Sequence, residues 1–579
     1  MMKLIKLIKL VKVVLFLVVC VVYVALFTAS TEAASTEKTV KIQEKYLILP
    51  ICNSASKKVV EITDENGIRA YKFEVTLADT SKKADWNSFL DMSQYTGQSM
   101  KITLHSPSET VTGEDSAQLA LIVNVSEVPR NEPLYQEKYR PQFHFSQMQG
   151  WNNDPNGMVF WNGEYHLFWQ SNPMGLPWGN MFWGHAVTRD LVHWTELPLA
   201  LRPFGDDLPP EKRDPSMAVR NCFSGTTSPA WDVEMSPENE ANRPLLAAFT
   251  DTGVGEALAI STDQGRTWKY DSVLVRHHGR DPQLIWFPEE KTWVMPVYDE
   301  KDGRRQIAFY QSKDRKNWER TGEIDGFFEC PNMYELPVDG DPNNTRWVLW
   351  AADAQYVIGK FDGKTFIPEH EGKHRLHYGQ FYASLCFNNT PGRLIQIGWA
   401  QIGIPFEARQ PFNQTFTLPL DLTLRTTPDG IRLFAKPVPE MNVLRGEKRE
   451  FTEKLVLSNN GDADGNGSGN SFGDGQLYEL CVTLDADKDA ELVFGRNSIR
   501  WNAAEKKLDE MVIRPKDGKI MFCVWIDRPM YEICANNGEA YKTYSRHDGG
   551  EKIPAIELRG DGAETGKVTV WALKGIHNR

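Results

Sequence analysis

The stretch Thr188-Arg189-Asp190-Leu191-Val192-His193-Trp194 decides the fold, because two later stretches repeat its pattern. Ser261–Trp268 and Ser312–Trp318 also place an Asp two residues after a hydroxyl residue and a Trp four or five residues after that Asp. In such a turn the carboxylate accepts hydrogen bonds from loop amides, and the indole packs on the adjoining sheet. The three tryptophans are 74 and 50 residues apart. This spacing is typical of β-propeller blades, each of which is a four-stranded sheet of roughly 40 to 50 residues.

Short predicted strands fill the rest of the chain after about residue 40. Segments rich in β-branched and aromatic residues alternate with Asp-Gly, Asn-Gly and Gly-Asp turns. Examples of the predicted strands are 70–77, 120–125, 246–250, 294–298 and 347–350. No long amphipathic helix pattern interrupts them. We therefore predict an all-β protein, and its 579 residues exceed the length of one ordinary domain.

The N-terminus has the pattern of a signal peptide, assigned here to residues 1–33. Lys3, Lys6, Lys9 and Lys12 precede an apolar run at 13–27, and small residues follow. The pattern predicts a secreted, periplasmic or cell-surface protein. An uncleaved membrane anchor is the alternative, although about twenty apolar residues are usually needed to span a bilayer. No second apolar segment predicts stable membrane insertion.

Charge and cysteine content narrow the class of protein further. The chain has 65 Lys and Arg against 77 Asp and Glu, for a net charge of −12, and no basic run follows the N-terminus. These features argue against a nucleic-acid partner. Seven cysteines follow the signal segment without CxxC spacing, which argues against a zinc ribbon or a dense disulfide framework. Nothing in the sequence indicates an oligomeric state.

The chain divides into three predicted segments after the signal peptide. A small β-domain covers 36–130, the segment 139–430 holds the repeats, and 431–579 forms a third β-rich unit. Within the last unit, residues 458–476 are rich in Gly, Asn, Asp and Ser and are predicted to form a flexible loop.

Three acidic residues occur in unusual surroundings, each next to an apolar strand. They are Asp154 within Trp151–Gly157, Asp281 within Arg280-Asp281-Pro282, and Glu329 before Cys330. Neighbouring blades would bring them together at the propeller axis. Two carboxyls about 5 to 5.5 Å apart across a glycosidic bond make a retaining glycosidase, in which one attacks the anomeric carbon and the other protonates the leaving oxygen. An Asp-Pro-Asn-Gly segment alone is also a common turn, so spacing leaves catalysis open.

These motifs resemble the signatures of glycoside hydrolase family 32, the invertases, inulinases and levanases. Residues 151–157 are similar to the family signature Trp-Met-Asn-Asp-Pro-Asn-Gly, with Asn152 in place of Met. Residues 280–282 and the pair Glu329-Cys330 match the other two signatures. Further matches lie at 170–173, 178–180, 183–185 and 223–226. All of them occur in the family's order between about residues 139 and 435.

The resemblance implies a five-bladed β-propeller followed by a β-sandwich, and a retaining mechanism that uses neither a metal nor a cofactor. Asp154 would be the nucleophile and Glu329 the general acid/base. Asp281 would hold the 3- and 4-hydroxyls of the fructosyl ring and stabilise the transition state. The subsite for the terminal fructose would be lined by Asn153, Gln170, Trp178, Phe223, Ser224, Arg280 and Trp399.

Two details of the resemblance bear on the substrate. Residues 412–414 and 418–420, together with the N-terminal β-domain, look more like bacterial levanases and fructanases than plant invertases. This likeness favours a polymer or oligomer of fructose, such as levan, inulin or fructo-oligosaccharides, over sucrose alone. Exo cleavage is expected because the family more often has a closed pocket at the fructose subsite. The preference between β-2,1 and β-2,6 linkages is not fixed by these residues.

Four other functions stay open at this stage. A fructosyltransferase would use the same residues with a sugar as acceptor, and a sugar-binding propeller would use them without catalysis. A sialidase also carries Asp-Trp turns, but it needs an Arg cluster and a Tyr nucleophile, and no such cluster is evident. Residues 370–374 match the zinc-protease pattern HExxH, but Pro368 and Gly372 argue against the helix that this site requires. A surface turn is the better interpretation.

Overall fold

Strands make up nearly all the regular structure of the chain, as predicted. The computed structural model describes residues 34–106, 110–130, 132–203, 220–276, 279–405, 410–452, 456–458, 472–473 and 475–577. The predicted signal peptide lies outside the described residues, as does most of the polar segment 458–476. Among the described residues, no helix is long and apolar enough to cross a membrane.

Seven strands form two sheets at the N-terminal end. Their bounds are Ser35–Lys41 (β1), Tyr46–Ile51 (β2), Lys58–Thr63 (β3), Arg69–Val75 (β4), Trp86–Asp91 (β5), Ser99–His105 (β6) and Val123–Val125 (β7). One sheet has the order β1-β6-β3-β4 and the other β5-β2-β7. Alternating buried residues of both sheets, among them Leu49, Ile62 and Phe73, form one hydrophobic core.

The predicted strand at 120–125 is wrong in its first half. A helix, α1 (Gly113–Ala120), ends there, and only Val123–Val125 is extended. A capping box starts the helix: the Asp115 amide donates to Thr112 Oγ1 (3.2 Å), and Asp115 Oδ2 accepts from the Thr112 amide (2.7 Å). These bonds satisfy amides that a helix end leaves without partners. The signal Thr-x-x-Asp was present in the sequence and outweighed the β-branched residues that follow.

Five four-stranded antiparallel blades follow. Blades 2 and 3 are separate sheets, blade 1 gains a fifth strand from a later part of the chain, and blades 4 and 5 are joined in one ten-stranded sheet. Blade 1 consists of Gly150–Trp161 (β8), Glu164–Asn172 (β9), Phe182–Thr188 (β10) and Thr195–Leu201 (β11). Blade 2 consists of Cys222–Pro229 (β12), Leu245–Asp251 (β13), Gly255–Ser261 (β14) and Lys269–Val275 (β15). Blade 3 consists of Ile285–Phe287 (β16), Thr292–Lys301 (β17), Arg304–Ser312 (β18) and Glu319–Asp325 (β19).

Blades 4 and 5 complete the propeller. Blade 4 consists of Asn332–Val338 (β20), Asp341–Trp350 (β21), Gln355–Phe361 (β22) and Phe366–Pro368 (β23), and His374–Arg375 (β24) also pairs with β22; His377–Gly379 (β25) follows. Blade 5 consists of Phe381–Cys386 (β26), Ile395–Ala400 (β27), Leu420–Thr427 (β30) and Gly430–Pro437 (β31), with Phe412–Asn413 (β28) and Thr415–Phe416 (β29) between β27 and β30. β28 pairs in parallel with β8, so the chain of blade 5 adds a strand to blade 1 and closes the ring.

The three sequence repeats form the predicted turns at the ends of β10, β14 and β18. Asp190 Oδ1 accepts from the amides of Val192 (3.0 Å) and His193 (2.8 Å). Asp314 makes the same two bonds to the amides at 316 and 317, and Asp263 accepts from the amide at 267. The function of the repeat is therefore structural, as predicted.

Two sheets pack face to face in the C-terminal segment. The strands are Arg445–Thr452 (β32), Val456–Ser458 (β33), Tyr478–Asp485 (β34), Ala490–Phe494 (β35), Asn497–Asn502 (β36), Lys507–Leu508 (β37), Met511–Val512 (β38), Lys519–Ile526 (β39), Met530–Ala535 (β40), Ala540–Ser545 (β41), Ala555–Arg559 (β42) and Lys567–Leu573 (β43). One sheet has the order β25-β41-β40-β39-β34-β43-β32 and the other β33-β42-β35-β36-β37-β38. Because β25 comes from the end of blade 4, the sandwich shares a strand with the propeller segment.

One disulfide joins neighbouring strands of this sandwich, between Cys481 and Cys523. Five other described cysteines are buried and lie outside any disulfide: Cys52, Cys222, Cys330, Cys386 and Cys534. One bridge among the described residues agrees with the expectation that the cysteines form no dense disulfide framework.

Candidate active site

The three predicted carboxyls lie at the same end of three blades. Asp154 is near the start of β8, Asp281 lies four residues before β16, and Glu329 lies three residues before β20. Each of these strands is the first of its blade, and β8 contacts the first strands of blades 2 and 5. The ring therefore brings together residues that are up to 175 positions apart in sequence.

Asp154 is held by hydrogen bonds from both sides. The indole of Trp151 donates to Asn153 Oδ1 (2.9 Å), which orients the amide so that Asn153 Nδ2 donates to Asp154 Oδ1 (3.0 Å). Ser224 Oγ, from β12, donates to Asp154 Oδ2 (3.1 Å). The motif around Asp154 thus fixes one carboxylate oxygen within its own strand, and the next blade fixes the other.

The glycine that ends this motif has a steric explanation. Gly157 has φ of 56°, a conformation that favours glycine, and a Cβ there would lie 2.5 Å from the Trp183 ring. Any side chain at this position would clash with the neighbouring strands of blade 1, so this strand requires glycine here.

Asp281 is tied to the segment that carries Glu329. Its Oδ2 accepts from the Cys330 amide (2.9 Å), and the Cys330 thiol lies 3.5 Å from the same oxygen. The thiol also lies 3.8 Å from Asp154 Oδ2, so one sulfur contacts both carboxyls. On its other side, the Asp281 amide donates to Thr250 Oγ1 (2.9 Å).

Glu329 has one cationic and one neutral partner. Arg280 donates to Oε2 from Nε (3.0 Å) and Nη2 (2.9 Å), and the Tyr382 hydroxyl donates to Oε1 (2.8 Å). The guanidinium of Arg280 also lies over the rings of Tyr298 (4.7 Å) and Phe328 (5.2 Å), which fixes its position. Arg280 Nε is 3.9 Å from Asp281 Oδ2, so one cation lies beside two of the three carboxyls.

Backbone strain is concentrated here. Asp281, Glu329 and Cys330 have φ of 65°, 42° and 46°, in the left-handed region that non-glycine residues rarely adopt. Each such residue costs on the order of 1–3 kcal/mol and persists only where surrounding bonds impose it. The Thr250 and Cys330 bonds to Asp281 are such constraints, and strain of this kind is typical of functional sites.

Burial changes the acidity of the group. It raises the pKa of Asp154 to about 6, and the negative charge of Glu329 adds to this effect. Burial and the charge of Glu329 also raise the pKa of Asp281, against the opposing charge of Arg280. The pKa of the Cys330 thiol is raised well above its ordinary value by burial and by the neighbouring carboxylates, so the thiol stays protonated.

Four other predicted sugar-binding residues are Trp399, Phe223, Trp178 and Gln170. Trp399 contacts the rings of Tyr382 (6.2 Å) and Trp151 (5.9 Å), and thus lies beside the partners of Glu329 and Asp154. Phe223 precedes Ser224, and its ring is 6.2 Å from that of Trp178, which is 51% exposed. Gln170 is buried in β9, and its Nε2 has no hydrogen-bond partner among the described residues.

Sequence reasoning missed Tyr382, Thr250 and Glu256. Tyr382 lies in β26, the first strand of blade 5, and so occupies the position that the carboxyls occupy in the other blades. Thr250 donates to Glu256 Oε2 (2.7 Å) behind Asp281, and burial raises the pKa of Glu256 well above its usual range. No local motif marks these two residues, because their role depends on cross-strand pairing within blade 2.

The segment 370–374 forms bends followed by the short strand β24 instead of a helix. Gly372 has φ of 67°, which a helix does not accommodate. The interpretation as a turn is confirmed. Among the described residues, no group of three or more His, Cys, Asp or Glu side chains is arranged to hold a metal ion.

This arrangement offers a carboxylate with both oxygens oriented, a second carboxyl with a hydroxyl and a guanidinium beside it, and a third that is almost fully buried. Such a set can supply a nucleophile, a proton donor and a hydrogen-bond acceptor for hydroxyl groups.

Comparisons with known proteins identify the family. The sequence profile of the Glycosyl hydrolases family 32 N-terminal domain matches residues 144–437. The chain is 32% identical to a levanase of Bacillus subtilis over 520 residues, covering 79% of this chain and 74% of that protein. It is 28% identical to an extracellular exo-inulinase of Aspergillus niger, covering 58% of this chain and 72% of that protein.

A solved structure supports the fold. The exo-inulinase of Aspergillus awamori superposes with a TM-score of 0.63 at 22% identity, covering 76% of this chain and 99% of that one. The family profile and the levanase relative rule out the sialidase alternative. The chain belongs to glycoside hydrolase family 32 and is a glycosidase.

Proposed function

We propose that the protein releases terminal fructose from β-fructofuranosides, with retention of configuration and with fructans as the main substrates. The observation that carries this proposal is the joint positioning of Asp154 and Glu329: two hydrogen bonds orient Asp154, and Arg280 and Tyr382 hold Glu329 in the same cluster. The levanase and exo-inulinase relatives support the substrate class.

The mechanism uses the two carboxyls in turn. Asp154 attacks the anomeric carbon of the fructosyl unit, and a protonated Glu329 gives its proton to the leaving oxygen as the glycosidic bond breaks. Glu329 then removes a proton from water, which attacks the anomeric carbon and frees Asp154. The Asn153 and Ser224 donors stabilise the carboxylate of Asp154 before attack and after release.

The remaining residues bind the sugar. Asp281 accepts hydrogen bonds from two ring hydroxyls and, as a negative charge, stabilises the cationic transition state. Arg280, Gln170 and Asn153 contribute donors, and the rings of Trp178, Phe223 and Trp399 form the walls. The buried Gln170 Nε2 supports this role, because a buried donor without a partner is costly unless a ligand accepts from it.

We also propose export by the signal sequence at 1–33, and a division of the mature chain into units of 36–130, 139–430 and 431–579. The extracellular exo-inulinase relative supports export.

The test is product analysis after incubation of protein lacking residues 1–33 with sucrose, inulin and levan separately. We expect free fructose as the first product from a fructan, and none from the Asp154→Asn variant. Short oligosaccharides from a fructan would indicate endo cleavage, and longer products from sucrose would indicate fructosyl transfer. A folded protein that releases no sugar from all three would overturn the proposal in favour of a binding role.

A further inference from the structure

The loop that carries Trp178 packs into the N-terminal domain. This loop joins β9 to β10 across residues 173–181. Met174, Leu176 and Phe182 are 1%, 3% and 1% exposed and belong to the same hydrophobic core as Leu49 and Phe73 of the N-terminal sheets. The wall of the active site at this point is therefore supported by the N-terminal domain.

Hydrogen bonds fix the same loop to the N-terminal domain. Asn180 Oδ1 accepts from the Glu74 amide (2.8 Å), and Asn180 Nδ2 donates to the Glu74 carbonyl (2.6 Å). These two bonds pair the Asn180 amide with the backbone of the edge strand β4, as a neighbouring strand would. Ser88 Oγ from β5 donates to the carbonyl of Pro173 (2.7 Å) at the start of the loop.

A groove lies between the loop and the domain, with Trp178 at its rim. Its lining includes Asn53, Lys57, Glu74 and Thr76 on the domain side, and Pro177 and Trp178 on the loop side. Lys57 and Glu74 form an ion pair (2.9 Å), and their side chains are 62% and 42% exposed. An amide, a hydroxyl, an ammonium and a carboxylate thus stand beside an exposed indole face, a combination that suits a ring with hydroxyls at its edge and an apolar face.

Trp178 connects the groove to the residues beside the catalytic centre. Trp178 contacts Phe223, and the next residue, Ser224, donates to the nucleophile candidate Asp154. Trp178 therefore lies both in the groove that contains the Lys57–Glu74 pair and next to a ring that adjoins the partner of Asp154.

We propose that the N-terminal domain forms the outer part of the substrate groove and binds, through Asn53, Lys57 and Glu74, fructosyl units beyond the bond that is cleaved. This inference rests on the proposed function and deepens it: the preferred substrate is a fructan of three or more units, because sucrose ends before the groove. The N-terminal domain lies outside the segment that the family profile matches, which is 144–437.

The test compares two ion pairs on one sheet. The double variant Lys57→Ala/Glu74→Ala removes the groove pair at the β4 edge. The control, Glu37→Ala/Lys101→Ala, removes the pair on β1 and β6 at the other edge (3.3 Å), whose side chains are 61% and 50% exposed. Both pairs are exposed, so neither change is expected to unfold the domain.

We expect the groove variant to raise the KM for inulin or levan about fivefold or more, since loss of one hydrogen bond to a ligand weakens binding by about that factor. Its kcat and KM for sucrose should stay within about twofold of the wild type, a spread typical of exposed substitutions. The control should match the wild type on both substrates. An unchanged KM for the fructan, or equal losses on fructan and sucrose, would overturn the inference.

A binding measurement gives the same comparison without turnover. Titration calorimetry of inulin into Asp154→Asn protein should show weaker binding when the groove substitutions are also present than when they are absent.

If the wild-type enzyme releases no fructose from any substrate, the proposed function fails, and the inference that rests on it fails with it. If the wild type is active and the groove variant is identical to it, only the inference fails.

Discussion

Two clusters in this molecule each combine Asp and Glu carboxyls with a cationic side chain, but the pKa values of their Asp residues shift in opposite directions. In the active site, one cation, Arg280, lies beside Asp281 and Glu329, and burial raises the pKa of Asp154 and Asp281. Between the propeller and the sandwich, Asp527 and Glu532 lie on either side of His144, at 2.9 and 3.2 Å from its ring nitrogens. Their charges raise the pKa of His144 to about 9 against the effect of its burial, and the pKa of Asp527 is lowered.

The number of donors explains the difference. Asp527 accepts from the amides at 142, 143 and 144 and from the His144 ring, and Glu532 accepts from Tyr541, Thr543 and the Leu418 amide. For Asp527, such bonds stabilise the ionised form enough to outweigh burial. In the active site the donors are fewer and the carboxyls repel one another, so charge is stabilised incompletely. The cluster around His144 therefore stabilises the fold, and the active-site cluster leaves carboxyls that are able to react.

The largest expected effect is on turnover at the active site. Asp154→Asn and Glu329→Gln should each lower kcat at least about 1000-fold, equivalent to ~4 kcal/mol, because each removes a bond-making or proton-transferring group. Their melting temperatures should remain near that of the wild type. Asp325→Asn, at an exposed pair with Arg304, is the control and should keep full activity. Near-normal turnover in either active-site variant would refute the role assigned to that residue.

The second effect is on stability at the domain contact. Asp527→Asn leaves the His144 cation in a fully buried site without its best partner, and we expect the free energy of unfolding to fall by about 3–5 kcal/mol. Denaturant unfolding measures it, again with Asp325→Asn as the control. Below its unfolding transition the variant should retain turnover. A loss of activity in fully folded Asp527→Asn protein would remove the distinction between the two clusters.

The smallest expected effect is a difference in pH dependence: the active-site cluster controls activity, and the cluster around His144 controls stability. In the proposed mechanism Asp154 must be ionised to attack, so kcat/KM should fall about tenfold per pH unit below about 6. The stabilising contribution of His144, whose pKa is raised, is complete below about 6.5 and is lost as pH rises through about 9. That of Asp527, whose pKa is lowered, is present above about 3.9 and is lost only in stronger acid.

Activity should therefore fall between pH 6 and 5 while the melting temperature holds, and the melting temperature should fall between pH 7 and 9 while Asp154 stays ionised. Parallel profiles of kcat/KM and melting temperature test this. Profiles that decline together on the acid side would show that unfolding, and not the ionisation of Asp154, limits the rate.

Local sequence predicted much of the fold and part of the site. The Asp-Trp turns, the β-rich pattern and the motifs around Asp154, Asp281 and Glu329 are each encoded within a few residues. The helix at Gly113–Ala120 was missed although its Thr112–Asp115 capping box is also local. Tyr382 could have been found by asking what stands at the start of the first strand of blade 5.

The sequence by itself determined the class of fold and the family, and it singled out the acidic residues of the candidate centre, because short motifs and strand periodicity are properties of neighbouring residues. Only the tertiary structure decided that Tyr382 and Arg280 hold Glu329, that Cys330 contacts two carboxyls, and that the N-terminal domain supports the Trp178 loop. Those contacts join residues 49 to 176 positions apart, and the pKa of a carboxyl depends on the charges and donors that folding brings to it. Ring closure and domain packing set those positions, and no short stretch of sequence records them.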